Sequence, residues 1–190
     1  MLLLASTSRY RRELLSRLRL EFQVAAPHVD ESALPGETAP LTALRLAQAK
    51  AYAVAPSHPS ALIIGSDQVA ECNGTRLDKP GTHERAVAQL SMLSGAKAVF
   101  HTAVALLDAS SGRVQTRVIP TTVSFRTLTP EQIESYLRTE QPYDCAGSAK
   151  SEGLGIALIA WMETSDPTSL VGLPLIALVD MLAAEGVHVV

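Results

Sequence analysis

An acidic residue, Asp67, interrupts an apolar run, and a lysine, Lys79, follows twelve residues later. Leu62–Val69 has the composition of a buried strand, yet it delivers Asp67 near its end, and Asp is a residue that strands avoid. Ligands of open α/β sheets gather outside the carboxyl ends of strands, which favours Asp67 as an acid held at the mouth of a cleft. Asp also commonly begins a turn, so both interpretations stay open at this point.

Hydroxyl and guanidinium groups gather where the first predicted strand turns into a helix. Ser6 and Ser8 precede that helix, and its first turn carries Arg9, Arg11 and Arg12. Free backbone N–H groups and the positive end of the helix dipole make such a place suitable for an anion, and arginine can grip phosphate oxygens with two parallel hydrogen bonds. The alternative is a capped helix with a solvated basic face; the position favours phosphate binding.

Two further acids follow the second predicted strand. Asp30 and Glu31 lie in a loop, whereas Asp67 belongs to another strand. Two carboxylates that meet across a cleft are hard oxygen ligands suited to Mg²⁺, which commonly bridges carboxylates and substrate phosphates. Without Asp67, Asp30 and Glu31 would be read only as members of a polar loop.

Isolated cations and one glycine-rich segment complete the candidates. Lys50 lies in an alanine-rich helix and Lys79 in a turn before Pro80; either can neutralise phosphate charge, although surface exposure is the usual fate of a lysine. The segment 146–155 contains three glycines together with Lys150 and Glu152. It lacks the ending of a Walker A motif, and such loops often serve only as turns. An acid there can nevertheless accept hydrogen bonds from the edge of a base.

The composition limits the class of protein. A chain of 190 residues with 47% hydrophobic and 18% charged residues is not disordered, and we expect one domain or two lobes around a cleft. The net charge of −3 argues against a general nucleic-acid binder. No apolar run is long enough to span a bilayer, and the N-terminus lacks the basic region of a signal peptide. Cys72 and Cys145 have no metal-binding spacing. We therefore expect a cytoplasmic protein with free thiols and no membrane association.

Strands and helices alternate in the coarse pattern, which predicts an α/β fold with a mixed, twisted sheet and flanking helices. A hairpin turn at Asp108–Gly112 adds antiparallel pairing to βα units, and Thr129 with Gln132 predicts a capping box. The predicted strands are Leu2–Ala5, Glu21–Ala25, Leu62–Val69, Ala98–Leu107, Val114–Phe125, Ile156–Trp161 and Val187–Val190. The predicted helices are Arg9–Leu18, Leu41–Val54, His83–Leu93, Thr129–Arg138 and Leu173–Ala184.

Six short segments, taken in order from near residue 2 to near residue 186, resemble the Maf nucleoside triphosphate pyrophosphatases. They are Leu4–Ser8 with Arg11, Val29–Glu31, Arg45–Lys50, Gly65–Asp67, Lys79–Pro80 and Gly172–Pro174. The resemblance implies hydrolysis of the α–β phosphoanhydride bond of a nucleotide with a divalent metal, Mg²⁺ or Mn²⁺. It also implies a single domain over residues 1–190, similar in fold to inosine triphosphatases, with two lobes around a deep cleft, and it suggests a homodimer.

Three positions resemble the branch of that family that cleaves 7-methyl-GTP: Tyr10, Gln68 and Glu152. A methylated guanine is a cation, so an aromatic ring at Tyr10 suits stacking upon it, and Glu152 can accept its N–H protons. By the same resemblance, Asp67 corresponds to the proton acceptor that activates water.

The remaining matched positions bind phosphate or metal by resemblance. Those for phosphate are Ser6, Ser8, Arg11, Lys50 and Lys79, and those for metal are Glu31 and Asp67. Whether Asp67 acts as base, metal ligand or both stays open.

Two residues depart from the family pattern. Arg9 replaces a usual proline, and Asp78 replaces a usual glycine before Lys79. Asp78 can pair with Lys79, or can strain the turn if its φ must be positive.

The alternative function is a nucleotide-binding regulator of septum formation or cell division that has no significant turnover. An intact set of polar residues speaks against a purely structural role.

Overall fold

The computed structural model describes all residues, 1–190, and it confirms the predicted α/β fold. The strands are β1 Leu2–Ala5, β2 Phe22–Ala25, β3 Leu62–Cys72, β4 Thr75–Leu77, β5 Lys97–Asp108, β6 Val114–Phe125 and β7 Ile159–Thr164. The helices are α1 Arg9–Ser16, α2 Ala39–Val54, α3 His83–Leu93, α4 Pro130–Glu140 and α5 Leu175–Ala184. No helix combines the length and the apolarity that crossing a membrane requires.

One mixed sheet contains all seven strands, in the order β2-β1-β3-β5-β6-β7 with β4 paired to β3. β1 runs parallel to both β2 and β3, whereas β4 and β7 pair antiparallel with their neighbours. The parallel βα part and the antiparallel hairpin part therefore occur together, as the alternating pattern predicts.

The chain divides into two compact units. The first comprises residues 1–68, 101–119 and 166–190, and the second comprises residues 69–100 and 120–165. Strand β3 passes from the first unit into the second directly after Gln68. The cleft expected between two lobes, and their action as one functional domain, stay predictions.

Strand β1 forms the centre of the first unit's core. Leu2 and Leu4 pack into a cluster with leucines of α1 and α5, whereas Leu3 and Ala5 pack into a second cluster with residues of α2. Side chains alternate between the two faces of a strand, so β1 is covered by helices on both faces. This explains why its sequence is apolar at every position.

Local signals in the sequence fix several helix ends. Ser8 caps α1, and Thr82 caps α3 by accepting a hydrogen bond from the Arg85 N–H. Thr129 and Gln132 form the predicted reciprocal capping box of α4. Each cap satisfies backbone donors that a helix start otherwise leaves unpaired.

Several boundaries differ from the predictions. Leu154–Leu158 forms a 3₁₀ helix, so the last strand begins at Ile159 rather than at Ile156. Val187–Val190 is not a strand, and the short β4 was not predicted. Helix α1 ends at Ser16 rather than Leu18. An apolar run alone does not distinguish a strand from a 3₁₀ turn, and in this turn Ile156 is exposed although its residue type suggests a buried strand.

Candidate active site

Ser6 and Ser8 shape the turn between β1 and α1. The Ser6 hydroxyl oxygen accepts a hydrogen bond from the Ser8 N–H at 3.1 Å, and the Ser8 hydroxyl oxygen accepts one from the Arg11 N–H at 3.4 Å. Ser6 is buried and Ser8 is half-buried. A hydroxyl that accepts a bond still has one proton to donate, so both side chains keep a donor at the start of α1.

Arg11 extends from this helix start towards residue 172. Its Nε donates to the Gly172 carbonyl oxygen at 2.8 Å, and the same oxygen accepts from the Ser66 hydroxyl at 3.0 Å. Gly172 has a φ of 124°, a backbone conformation that favours glycine. The bond holds Arg11 by Nε and leaves its terminal nitrogens for an anion.

The electrostatic surroundings of Arg11 combine burial with two acids. Burial lowers the pKa of Arg11, whereas the negative charges of Asp67 and Glu31 act in the opposite direction. The sequence therefore folds so that a guanidinium lies within electrostatic reach of both predicted metal ligands. This places three of the predicted residues together in the first unit.

Lys50 connects the two acids directly. Its ammonium nitrogen lies 2.6 Å from Asp67 Oδ1 and 2.6 Å from Glu31 Oε1. Lys50 and Asp67 are buried, whereas the Glu31 side chain is 57% exposed. The prediction that Glu31 and Asp67 converge is consistent with this geometry. Lys50 is not the surface lysine that its residue type usually indicates, because two carboxylates compensate its buried charge.

A close approach of α2 to β3 brings Lys50 to Asp67. A Cβ atom on Gly65 would lie 2.1 Å from the Ala47 carbonyl oxygen and 2.9 Å from the Ala51 nitrogen. Ala47, Lys50 and Ala51 share one face of the helix, since residues three and four apart are neighbours. Gly65 therefore allows the helix backbone to lie directly on the strand.

The prediction that Asp67 lies at a strand end was wrong. β3 continues to Cys72, so Asp67 lies in its interior. The physical reason is that β3 is longer than its parallel neighbour: pairing with β1 stops at Gly65, and β3 continues until Ala70–Cys72 pair with β4. Asp67 thus follows the end of the parallel pairing while its own strand continues.

Gln68 is fixed by its amide nitrogen. Nε2 donates to Thr102 Oγ1 at 2.9 Å, to the Ser169 carbonyl at 3.0 Å and to the Leu170 carbonyl at 3.1 Å. The Thr102 hydroxyl itself donates to the Ser169 carbonyl, so all three oxygens around Nε2 are acceptors, which identifies the atom as nitrogen. Gln68 therefore presents its carbonyl oxygen as the group free to accept a hydrogen bond.

Tyr10 contacts its neighbour Arg9. The Arg9 guanidinium carbon lies 4.7 Å from the centre of the Tyr10 ring, and Nη2 donates to the Tyr10 hydroxyl at 2.6 Å. The residue that departs from the family pattern thus provides a cation to the ring that is predicted to stack on a cationic base. One face of the ring has a cation–π partner in the protein itself.

Lys79 belongs to the second unit and is exposed, with no hydrogen bond or ion pair. Asp78 pairs with Arg76 at 2.9 Å rather than with Lys79. Asp78 also has no positive φ; in this turn that conformation belongs to Gly81, whose φ is 69°. Neither of the two expected effects of Asp78 occurs, and the lysine charge is left uncompensated by its neighbour.

Glu152 also belongs to the second unit and is exposed. Lys150, its oppositely charged neighbour in the loop, forms its ion pair with Glu140 instead. Glu140 also accepts a hydrogen bond from the Leu154 N–H at 2.8 Å. Glu140 thus anchors the loop on both sides of Glu152, whose carboxylate makes no hydrogen bond to the protein.

Sequence reasoning missed the residues that hold the candidate side chains in place. Arg45 binds the Glu37 carboxylate with two hydrogen bonds, of 2.7 and 2.8 Å, and donates to the Ser32 carbonyl at 2.9 Å. These contacts fix the loop that carries Glu31. Arg45 stands in one of the family-like segments, but no local signal identifies Glu37 as its partner.

Glu31 and Asp67 also suit a divalent cation by the chemistry of their oxygens. The structure has no group of three or more His, Cys, Asp or Glu side chains arranged for a metal. Two carboxylates that converge are nevertheless the usual protein share of a magnesium site, since substrate phosphates and water complete it. The donor set therefore fits the predicted metal.

A family model described as Maf-like protein matches residues 1–185. The chain belongs to the Maf-like protein family. Among its relatives, a protein of Thiobacillus denitrificans named 7-methyl-GTP pyrophosphatase is 63% identical over 188 residues, which cover 99% of this chain and 94% of the relative. Proteins of the same name are 58% identical in Methylobacillus flagellatus, over 100% of this chain and 98% of the relative, and 61% identical in a Polaromonas species, over 98% and 85%. The family predicted from the short motifs is confirmed.

Proposed function

We propose that this Maf-like protein is a nucleoside triphosphate pyrophosphatase that hydrolyses 7-methyl-GTP to 7-methyl-GMP and pyrophosphate. One observation carries the proposal: relatives of that name are 58–63% identical along nearly the whole chain. The geometry of the first unit supports the reaction class. The Lys50 ammonium pairs with two carboxylates, and the Arg11 guanidinium lies within electrostatic reach of the same two groups. Phosphoryl chemistry depends mainly on such positioning and charge neutralisation.

In the proposed reaction, water attacks the α-phosphorus. A new P–O bond forms to the water oxygen, the bridging P–O bond breaks, and pyrophosphate leaves. The attacking water gives its proton to Asp67. Lys50 bonds to Oδ1 of this carboxylate and leaves Oδ2 for the water or for a metal. Asp67 therefore serves as general base, metal ligand or both.

The triphosphate is bound by donors and cations. Arg11 offers its terminal nitrogens, Ser6 and Ser8 offer hydroxyl protons, and Lys79 offers an exposed ammonium. Glu31 and Asp67 would hold a divalent cation, Mg²⁺ or Mn²⁺, which supplies charge neutralisation of the phosphate oxygens when bound. Lys50 compensates the charge of the same two acids when the cation is absent.

Hydrogen-bond acceptors and the aromatic ring of Tyr10 select the base of the nucleotide. The Glu152 carboxylate accepts no hydrogen bond from the protein, and neither does the side-chain carbonyl oxygen of Gln68. The donor edge of guanine complements such acceptors, and the positive charge of the methylated base complements a carboxylate. Tyr10 provides an aromatic ring for stacking, and the Arg9 guanidinium already lies over this ring.

A panel of triphosphates tests the function. Purified protein with Mg²⁺ or Mn²⁺ should release pyrophosphate from 7-methyl-GTP faster than from GTP, dTTP or UTP, and Asp67→Asn should abolish the release. Turnover of dTTP and UTP alone would contradict the proposed base while leaving the reaction class intact. Tight binding of nucleotide without turnover would instead favour the regulatory alternative.

A further inference from the structure

Gln89 uses both ends of its side-chain amide to bridge two loops of the second unit. Its Nε2 donates to the Asp78 carbonyl oxygen at 2.7 Å, and its Oε1 accepts from the Ser148 hydroxyl at 2.7 Å. Asp78 directly precedes Lys79, and Ser148 lies in the glycine-rich loop that carries Glu152. One side chain of α3 thus contacts the loop of a predicted phosphate ligand and the loop of a predicted base reader.

The Lys79 turn is held at two points. Gln89 binds the carbonyl before the lysine, and the Gly81 N–H after it donates to the Tyr143 carbonyl at 3.1 Å. Between these points, Pro80 has no N–H to donate. The backbone of Lys79 is therefore fixed from both sides, although the ammonium itself is exposed and without a partner.

The loop of Glu152 depends on Ser148. Ser148 is fully buried and has a φ of 57°, a conformation that costs energy in a residue other than glycine. Its hydroxyl is bound by Gln89, and its carbonyl accepts from the Tyr136 hydroxyl at 3.0 Å. That hydroxyl also accepts from the Lys150 N–H at 3.0 Å. Contacts with Gln89 and Tyr136 thus offset the strained backbone.

Tyr136 is suited to this role because it stays protonated. Burial raises the pKa of Tyr136 well above its ordinary value, despite the bond from the Lys150 N–H. The hydroxyl proton therefore remains available for the Ser148 carbonyl at any ordinary pH. Tyr136 holds the Glu152 loop on its own side, and the Gln89 amide provides the hydrogen bonds that join this loop to the Lys79 turn.

We propose that Gln89 is a positioning residue that couples the phosphate-binding Lys79 to the base-reading Glu152. This rests on the proposed function, in which those two residues contact the substrate. A rigid connection fixes the distance between a phosphate ligand and a base reader, and precise placement of both lowers the entropy that binding costs. Gln89 touches neither substrate nor reacting atoms and acts through the two loops.

Three variants separate the effects of the two hydrogen bonds that the Gln89 side chain makes. Gln89→Leu removes both hydrogen bonds. Gln89→Glu keeps an acceptor for the Ser148 hydroxyl but cannot donate to the Asp78 carbonyl. Ser148→Ala removes only the bond towards the Glu152 loop. Ser91→Ala is the control on the same helix, since the Ser91 hydroxyl donates only to the Val87 carbonyl within α3.

The readout is kcat/KM for 7-methyl-GTP and for GTP, together with their ratio. We expect Gln89→Leu to lower both values about 10-fold or more and also to lower the ratio, as loss of positioning does. Gln89→Glu should lower both values equally and keep the ratio, whereas Ser148→Ala should mainly lower the ratio. Ser91→Ala should match the wild type. An unchanged ratio in both Gln89→Leu and Ser148→Ala would overturn the proposal.

A double variant excludes a merely structural effect. In a Glu152→Gln background, Gln89→Leu should not lower the ratio further, because the residue through which it acts on the base is already changed. An equal further loss would contradict the coupling. Amide hydrogen exchange gives a readout without substrate: Gln89→Leu should reduce protection in both segments 78–82 and 146–154. Failure of the wild type to cleave any triphosphate would refute the function, whereas unchanged exchange in both segments would refute the positioning role.

Discussion

Lys50 and Asp67 form an ion pair of 2.6 Å in which the two side chains are only 7% and 9% exposed. Taking two charges out of water costs free energy that their attraction must offset, and removing one partner leaves an uncompensated charge. Glu31, which is largely exposed, shares the same ammonium. The pair therefore links the stability of the protein to the proposed chemistry, since Asp67 is the proposed general base or metal ligand.

Lys50→Met should destabilise the protein and abolish turnover. The substitution leaves Asp67 buried without its cation, a change that typically costs about 3–5 kcal/mol of unfolding free energy. Urea denaturation followed by circular dichroism measures the loss, and pyrophosphate release measures the activity. A variant as stable as the wild type would show that the pair does not contribute to the folded state.

Asp67→Asn is the matched comparison. The asparagine oxygen can still accept from Lys50, and the side chain keeps its shape, so we expect a smaller loss of stability than in Lys50→Met. Activity should nevertheless disappear, because an amide neither takes a proton from water nor binds a divalent cation well. Residual activity near the wild-type level would remove Asp67 from the mechanism.

Gly65→Ala should harm both stability and activity. The new methyl group would lie 2.1 Å from the Ala47 carbonyl oxygen, which belongs to helix backbone and can move only with α2. Overpacking of this kind typically costs about 1–3 kcal/mol, and displacement of α2 also displaces Lys50 from Asp67. Thermal unfolding and pyrophosphate release are the measurements.

Gly36→Ala is the control for this prediction. Gly36 has a φ of 76° and no atom within 4 Å of an added Cβ, so only backbone strain of roughly 1–2 kcal/mol is expected there. We expect Gly36→Ala to retain activity while Gly65→Ala loses it. Equal effects would show that close packing against α2 is not what requires a glycine at residue 65.

The sequence predicted the elements better than it predicted their contacts. Buried strands such as β1 and capped helices such as α4 have local signals, because apolar runs and capping side chains act over a few residues. The end of β3 also had a local signal, which the prediction overlooked: Asn73 and Gly74, with φ of 50° and 75°, form the turn of a hairpin. Asp67 was expected at the strand end, but hairpin pairing with β4, which begins at Thr75, extends the strand to Cys72.

The residues that orient the site were the hardest to predict. The convergence of Glu31, Lys50 and Asp67 depends on how α2 packs on β3, which the types of these residues suggest but do not determine. Gln68 was predicted from the family resemblance, yet the fixing of its amide by the Ser169 carbonyl follows only from the tertiary fold. Gln89 gave no sequence signal, because a glutamine on a helix is ordinarily a surface residue.

Glu152→Gln should reduce the preference for the methylated base. The change removes a negative charge from an exposed side chain without protein partners, so the fold should be unaffected. Discrimination of 7-methyl-GTP from GTP, measured as the ratio of kcat/KM values, should fall by about 10-fold, the effect of roughly 1.4 kcal/mol. Glu163→Gln, which removes an exposed charge from β7, is the control. An unchanged ratio in Glu152→Gln would contradict the base-reading role.

The Glu37–Arg45 pair should make part of the stability depend on acid pH. Hydrogen bonds from Arg45, above all, lower the pKa of Glu37 from 4.5 to about 2. A carboxyl whose pKa is lower in the folded state binds its proton more readily when unfolded, so its contribution is complete above pH 4.5 and disappears as pH falls towards 2. The difference in unfolding free energy between the wild type and Glu37→Gln should therefore be constant at neutral pH and shrink between pH 4.5 and pH 2.

Urea denaturation of both proteins across that range measures this difference. Other carboxyls with lowered pKa values, such as Asp108, titrate equally in the two proteins and cancel in the comparison. The pair also fixes the loop of Glu31 through the bond from Arg45 to the Ser32 carbonyl. Glu37→Gln should therefore lower turnover at neutral pH as well, because Glu31 loses its fixed position relative to Lys50. A difference in stability that does not change with pH would show that Glu37 titrates alike in the folded and unfolded chain.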